Sequence, residues 1–192
     1  MMEFKHRHRI VVSAGQYWLP RRIAIWLLLL AWGAPGPGLA AGADPAMTIG
    51  FLYNIARFTD WPAGSRESPL TLCMMGDTET LSQGLTGFEG RTLSGREWKV
   101  RHMSRLGELH GCNILFIAKS EERYLAGILP GAHARNVLTV SDIDAFAELG
   151  GIVGLSGNDD KIEFDINTAA ARHAGLRISS QVLKLARSIL GR

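Results

Sequence analysis

Three short apolar runs, LTLCMM at 70–75, NILFIAK at 113–119 and VLTVSD at 137–142, restrict this chain more than any other feature of its sequence. Each has the length of a strand, and each is bounded by turn or capping residues. Between them lie stretches of helical character. A brief one opens at Gly76-Asp77 and runs to about Gly87, and a longer one starts at Ser120, with Glu121 and Glu122 behind it, and ends before Pro130-Gly131. Strands that alternate with helices pair in parallel through crossovers. The expected fold is therefore α/β, a layered domain with a mostly parallel central sheet.

Further elements fill in this plan. EWKVRHM at 97–103 alternates Trp98, Val100 and His102 against Lys99 and Arg101, as a half-buried strand does. A short helical turn from Asp144 to Leu149 follows VLTVSD. GGIVGLSGNDDKIEFDIN at 150–167 predicts a late antiparallel hairpin, with Ile162, Phe164 and Ile166 on one side and Glu163 and Asp165 on the other. SSQVLKLARSIL at 179–190 predicts a C-terminal helix packed on the sheet through Val182, Leu185, Ala186 and Ile189.

The formal charge of +3 and pI near 9.1 would suit a nucleic-acid partner, but the excess is confined to the front of the chain. Residues 1–43 hold Lys5, Arg7, Arg9, Arg21 and Arg22 against Glu3. Taking those five cations and one acid from the 21 and 18 of the whole leaves a body at −1. The body lacks the basic footprint of a nucleic-acid binder. The leader itself reads as an export signal: basic residues through Arg22, the apolar run IAIWLLLLAW, then small residues. That run would span only about 15 Å as a helix, half the hydrocarbon thickness, and Gly33, Pro35 and Pro37 stop its extension. Cleavage is expected after Ala40 or Ala43, leaving 44–192 as one exported domain. Its two cysteines, Cys73 and Cys112, favour a disulfide in an oxidising compartment, with two buried thiols as the other reading.

The segment 44–61 reads as a helix whose stripe of Met47, Phe51, Ile55 and Phe58 faces the core. Tyr53 falls off that stripe and Trp61 sits at its margin, beside the terminating Pro62. With Arg57 on the same turn as Tyr53, these residues are candidates for lining a small-ligand pocket. The sequence carries no nucleophile elbow, zinc-protease helix, phosphate loop or dinucleotide fingerprint. His102, His110, His133 and His173 are isolated from one another in sequence and read as surface or hydrogen-bonded residues. Asp142-x-Asp144 and Asp159-Asp160 lack the remaining ligands of a calcium loop and read as turn and cap carboxylates. No enzymatic activity, cofactor or metal is expected.

Taken in order, FLYNIARFTDWP, LTLCMMGD, GCNILFIAKSEE, VLTVSD, GGIVGL and KIEFDINTAAARHAGLRISSQVLKLA resemble the YfiR-like family of periplasmic regulators, from about Met47 to Leu190. The resemblance implies an α/β periplasmic domain, often a homodimer. It also implies a partner: an inner-membrane diguanylate cyclase, restrained through its periplasmic part, or in its place a sensor kinase. The family's cysteine pair maps onto Cys73 and Cys112, in agreement with the disulfide reading. For the partner-binding surface the late region is favoured, where Phe146, Glu163, Phe164 and Ile166 combine a hairpin with a nearby helix, with a core position as the other reading of Phe164 and Ile166.

Overall fold

A computed structural model describes residues 43–63, 69–104, 106–158 and 161–191. The leader expectation, and that for Asp159-Asp160, falls outside them. The chain opens with helix α1, Pro45–Arg57. Pro45 sits at the first helical position, where a missing N–H costs nothing, and the Asp44 carboxylate caps the helix by accepting from the Met47 N–H at 3.0 Å.

The face that α1 buries differs from the expected stripe. Ile49, Leu52, Ile55 and Ala56 are in the core, Phe51 and Phe58 are half-buried beside it, and Met47 is exposed. The aliphatics at 49, 52 and 56 are the residues this helix commits to the core. The two phenylalanines close its flanks, Phe51 packing on Phe164 with ring centroids 4.9 Å apart. The helix ends at Arg57, earlier than expected, because Thr59–Asp60 (β1) leaves to pair with Arg177–Ile178 (β9) as a small antiparallel ribbon.

The main sheet has eight strands. In chain order they are β2 (Leu70–Met75), β3 (Thr92–Leu93), β4 (Arg96–Met103), β5 (Ile114–Ile117), β6 (Leu138–Ser141), β7 (Val153–Asn158), β8 (Lys161–Asn167) and β10 (Ser188–Leu190). Their spatial order is β10-β8-β7-β6-β5-β2-β4-β3. All pairings from β4 through β7 are parallel, β7 with β8 forms the expected antiparallel hairpin, and β10 lies parallel to β8 at the edge. The layered α/β architecture read from the apolar runs is the architecture observed.

Alternation along the central strands splits the core in two. Leu72, Met74, Ile114, Phe116, Leu138 and Val140 face α1, together with α4 (Thr168–His173) and α5 (Ser180–Leu183). Cys73, Met75, Leu115 and Ile117 face the other way, against α3 (Leu125–His133). α3 runs through Pro130-Gly131 instead of ending before them. Its buried Leu125, Ile128, Leu129 and Ala132 hold the backbone helical across the proline, whose interior cost of about 3 kcal/mol is outweighed by that packing. The brief helix after Gly76-Asp77 is present as α2 (Glu79–Ser82), extended by a tighter turn at Gln83–Leu85.

The C-terminal segment is corrected most. Of 179–190 only the single turn Ser180–Leu183 is helical, and Ser188–Leu190 becomes the edge strand β10. The backbone groups along the free side of β8 need partners, and the chain supplies them: the Arg187 N–H donates to the Phe164 carbonyl at 2.8 Å. The Arg187 guanidinium meets the Asp165 carboxylate on the same side, while Leu185 is left 76% exposed.

Cys73 and Cys112 form a disulfide on the α3 face, with Cα atoms 5.8 Å apart. Its sequence separation of 39 residues predicts roughly 4 kcal/mol of stabilisation in the chain-entropy model. Urea unfolding of the oxidised protein and of the Cys73→Ser/Cys112→Ser double variant should differ by about that amount, and coincident midpoints would contradict it. At Gly151 an added Cβ would lie 2.1 Å from the Phe146 ring. Gly151→Ala should therefore destabilise by roughly 1–3 kcal/mol in the same assay, as over-packing does.

Candidate functional site

In an open α/β sheet the ligand crevice usually opens at the carboxyl ends of the strands where their order reverses. Here that point lies between β2 and β5, and it is closed. The Ser120 hydroxyl accepts from the Asp77 N–H at 2.9 Å and fills the space over Gly76, where a Cβ would meet its oxygen at 2.5 Å. Nearby, Lys119 pairs with Asp144 at 2.8 Å.

Two cavities lie elsewhere. One, of about 320 Å³, is bordered by Arg57, Asp60, Trp61, Leu70, Leu93 and Arg96. Arg57 and Trp61 thus share a cavity, as the sequence suggested, but Tyr53 does not join them. Its ring packs 5.3 Å from Trp98 and 5.7 Å from Phe88, and its hydroxyl donates to the Thr92 carbonyl at 3.2 Å. Trp61 is a wall more than a contact. It is 6% exposed, and its indole N–H is buried without a hydrogen-bond partner among the described residues.

The larger cavity, about 540 Å³, is an open groove between α4, β9, α5 and β10. Ala171, Leu176, Ile178, Leu183 and Ile189 form an apolar floor, and Arg172, Arg177 and Lys184 stand around it. No carboxylate is among its lining residues. Arg172 is held in place by donating to the Gly191 carbonyl at 2.7 Å, whereas Arg177 and Lys184 have no ion pair recorded among the described residues. Sequence reasoning missed this groove because it assigned 179–190 to one helix. Only the break of that helix after Leu183 opens the space. The signal available beforehand was the spacing of three cations among apolar residues in ARHAGLRISSQVLK.

Of the four residues expected to meet a partner, three are core. Phe146 is fully buried beneath Gly151, Ile166 is fully buried, and Phe164 packs against Phe51. Their side chains are not presented at the surface: the register of β8 turns Phe164 and Ile166 inward, and Phe146, in the turn after β6, is buried in the core on the α3 side. Glu163, on the opposite face of the same strand, is accessible. Its carboxylate lies 2.7 Å from Lys161 Nζ and 3.6 Å from the Arg187 guanidinium, and the hydrogen bond from Lys161, with the charges of both, holds it below the usual carboxylate range.

The disulfide has an attendant cation. One Nη of Arg101 donates to the carbonyls of Glu108 and His110, each at 2.8 Å, and lies 3.2 Å from Cys112 Sγ and 3.5 Å from Cys73 Sγ. Its two N–H groups are taken by the carbonyls, so the sulfurs are packed against the cation without further strong hydrogen bonds. The arrangement ties the 106–110 turn to the bridge.

The fold resembles two solved α/β structures at low sequence similarity. A conserved domain protein from Vibrio cholerae O1 biovar eltor aligns with a TM-score of 0.53 and 10% identity over 78% of this chain and 62% of that one. An ABC domain in complex with L-Trp from Streptococcus pneumonia aligns with a TM-score of 0.51 and 10% identity over 77% of this chain and 61% of that one. This chain spans about six-tenths of the length of each, and the likeness concerns the fold. The sequence itself is matched by the YfiR/HmsC-like family over residues 45–187, from the first helix to the turn before the last strand. With that match covering nearly the whole body, the chain belongs to the YfiR/HmsC-like family.

Proposed function

We propose that this protein is a non-catalytic periplasmic regulator that restrains a membrane-bound signalling protein, a diguanylate cyclase, by binding its periplasmic domain. The observation that carries the reading is the family match across residues 45–187, since the family is one of periplasmic regulators of cyclic di-GMP signalling. Restraint requires that the regulator bind the inactive arrangement of its receptor more tightly, and about 2.8 kcal/mol of difference gives a hundredfold bias.

The groove between α4 and β10 is the proposed contact. Its apolar floor suits an apolar anchor residue, and Arg172, Arg177 and Lys184, with no lining carboxylate, suit an acidic segment around that anchor. Glu163, half-buried on the face of β8 turned away from Phe164 and Ile166, is kept in the proposal as a second patch separate from the groove floor. Phe164 and Ile166 share the core cluster of Ala171 and Leu176, and Phe146 lies in the opposite cluster. The homodimer implied by the resemblance belongs to the same proposal, as does redox sensitivity. Reducing Cys73–Cys112 would release Arg101 and the 106–110 turn from the bridge and lower the binding-competent fraction.

The cavity beside Arg57 and Trp61 supports a second reading, a small-molecule sensor or carrier. It is large enough for a small metabolite, and its lining sets Arg57 and Arg96 against the single carboxylate of Asp60. Saturable metabolite binding lost in Arg57→Ala, with no membrane partner, would favour this reading over the first.

The test is capture from membranes of the source cell with the exported, tagged protein, oxidised and reduced. Recovery of a membrane protein carrying a periplasmic domain and a cyclase output is expected, more with oxidised bait. Arg177→Glu/Lys184→Glu should weaken capture on the order of tenfold and reduce its salt dependence, as rim charge reversal does. A folded double variant that captures as well as the parent would remove the groove from the interface. Failure of folded parent protein to capture any membrane protein would remove the regulator reading.

A further inference from the structure

His133 and His173, forty residues apart and unremarkable in sequence, meet in the fold. Their ring centroids are 5.8 Å apart with planes at 77°. His133 ends α3, on the disulfide side of the sheet, and His173 ends α4, on the opposite side. Their contact therefore joins the two helical layers around the end of the sheet. Asn136 reinforces it: its side-chain amide donates to the Ala174 carbonyl at 2.9 Å, and it lies so close to Gly175 that a Cβ there would meet the amide nitrogen at 2.8 Å.

His133 is 8% exposed, and its Nε2 is buried with no hydrogen-bond partner among the described residues. A neutral imidazole tolerates such a site; an imidazolium there would be an uncompensated buried charge next to a second titrating ring.

We propose that His133 and His173 form a proton-operated latch, which holds the turn after α3 against the turn after α4 while the buried His133 ring is neutral and releases it when that ring takes up a proton. The charges around the latch favour release. On the α4 side stand His173 and Arg172; within the turn after α3, Arg135 donates to the Gly131 carbonyl. The facing strand β6 carries no charged residue. Against α3 also pack the 106–109 and 119–124 turns. Glu108 of the first turns its carboxylate to the Ser104 N–H at 3.2 Å, and Lys119, Glu121, Glu122 and Arg123 of the second precede the opposite end of α3, about 12 Å along the helix.

The direction of the pH dependence follows. Burial first, and the His173 charge second, hold His133 below its ordinary 6.5. The released chain binds the proton more readily, so the latch is complete above pH 6.5, weakens as pH falls toward the folded midpoint and is constant below it. Ala171 and Arg172 of α4 also line the groove, so release would reshape the groove. That consequence rests on the proposed partner reading; the latch does not.

The test is a histidine-ring NMR titration of the exported protein from about pH 8 to about pH 5, with amide exchange followed in parallel. His133 should titrate below 6.5, and protection at 133–137 and 173–176, normalised to β5, should fall by up to about tenfold per pH unit between pH 6.5 and that midpoint and level off below it. His173→Gln, at an exposed position, should raise the His133 midpoint, and His133→Gln should leave junction protection independent of pH. A His133 midpoint at or above 6.5, normalised protection that does not change through the titration, or a His133 midpoint unmoved in His173→Gln would each overturn the latch. The last measurement serves where His133→Gln does not fold, and none of the three depends on a membrane partner.

Discussion

The structure depends on β2. It pairs in parallel with β4 on one side and β5 on the other, so both its edges are saturated, and Leu72 and Cys73 on its two faces are completely buried. A strand so enclosed must be apolar throughout, which is why LTLCMM is the most legible run in the chain. It also carries Cys73, so the sheet centre and the disulfide are one unit. The turn at 106–110, fastened through Arg101, inherits its position from that unit. Change at the bridge therefore reaches the surface by a short path.

The α1 side of the sheet follows a different rule. There the two helices that follow β8 are short, the last of them a single turn, and the chain uses residues 188–190 to complete the edge of the sheet. Ending the helix at Leu183 and resuming extended backbone at Ser188 leaves a concave space that neither element fills. Apolar floor and cationic margin are thus by-products of an edge strand that must be paired. This gives a physical reason for a groove beside β10 in a fold whose strand switch point is occupied by Ser120.

Much of the fold was legible, because parallel strands buried on both faces leave a strong apolar signature. The runs at 70–75, 113–119 and 137–142 all became central strands, and the alternation of Ile162, Phe164 and Ile166 set the hairpin's register. The same alternation undercut the expected partner surface: a residue that keeps period two with its core neighbours is core, and Phe164 and Ile166 do. Amphipathic helices were less legible. In α1 the large rings suggested one stripe, whereas the smaller Ile49, Leu52 and Ala56 are the ones fully committed to the core. In 179–190 the apolar spacing fits a helix face, but it could not register the unpaired edge of β8.

Sequence alone determined the class of fold, the order of the central strands along the chain, the even pair of cysteines and the likeness to a family of periplasmic regulators. These rest on local composition, period and order, all written in one dimension. Tertiary structure decided which side chains meet: the Cys73–Cys112 bridge with Arg101 over it, the joining of Arg57 to Trp61 without Tyr53, the cationic groove, and the pairing of His133 with His173. Each of these brings together residues from different elements. Their proximity comes from sheet order and helix crossing, set by burial summed over the whole core, and no short stretch of sequence contains it.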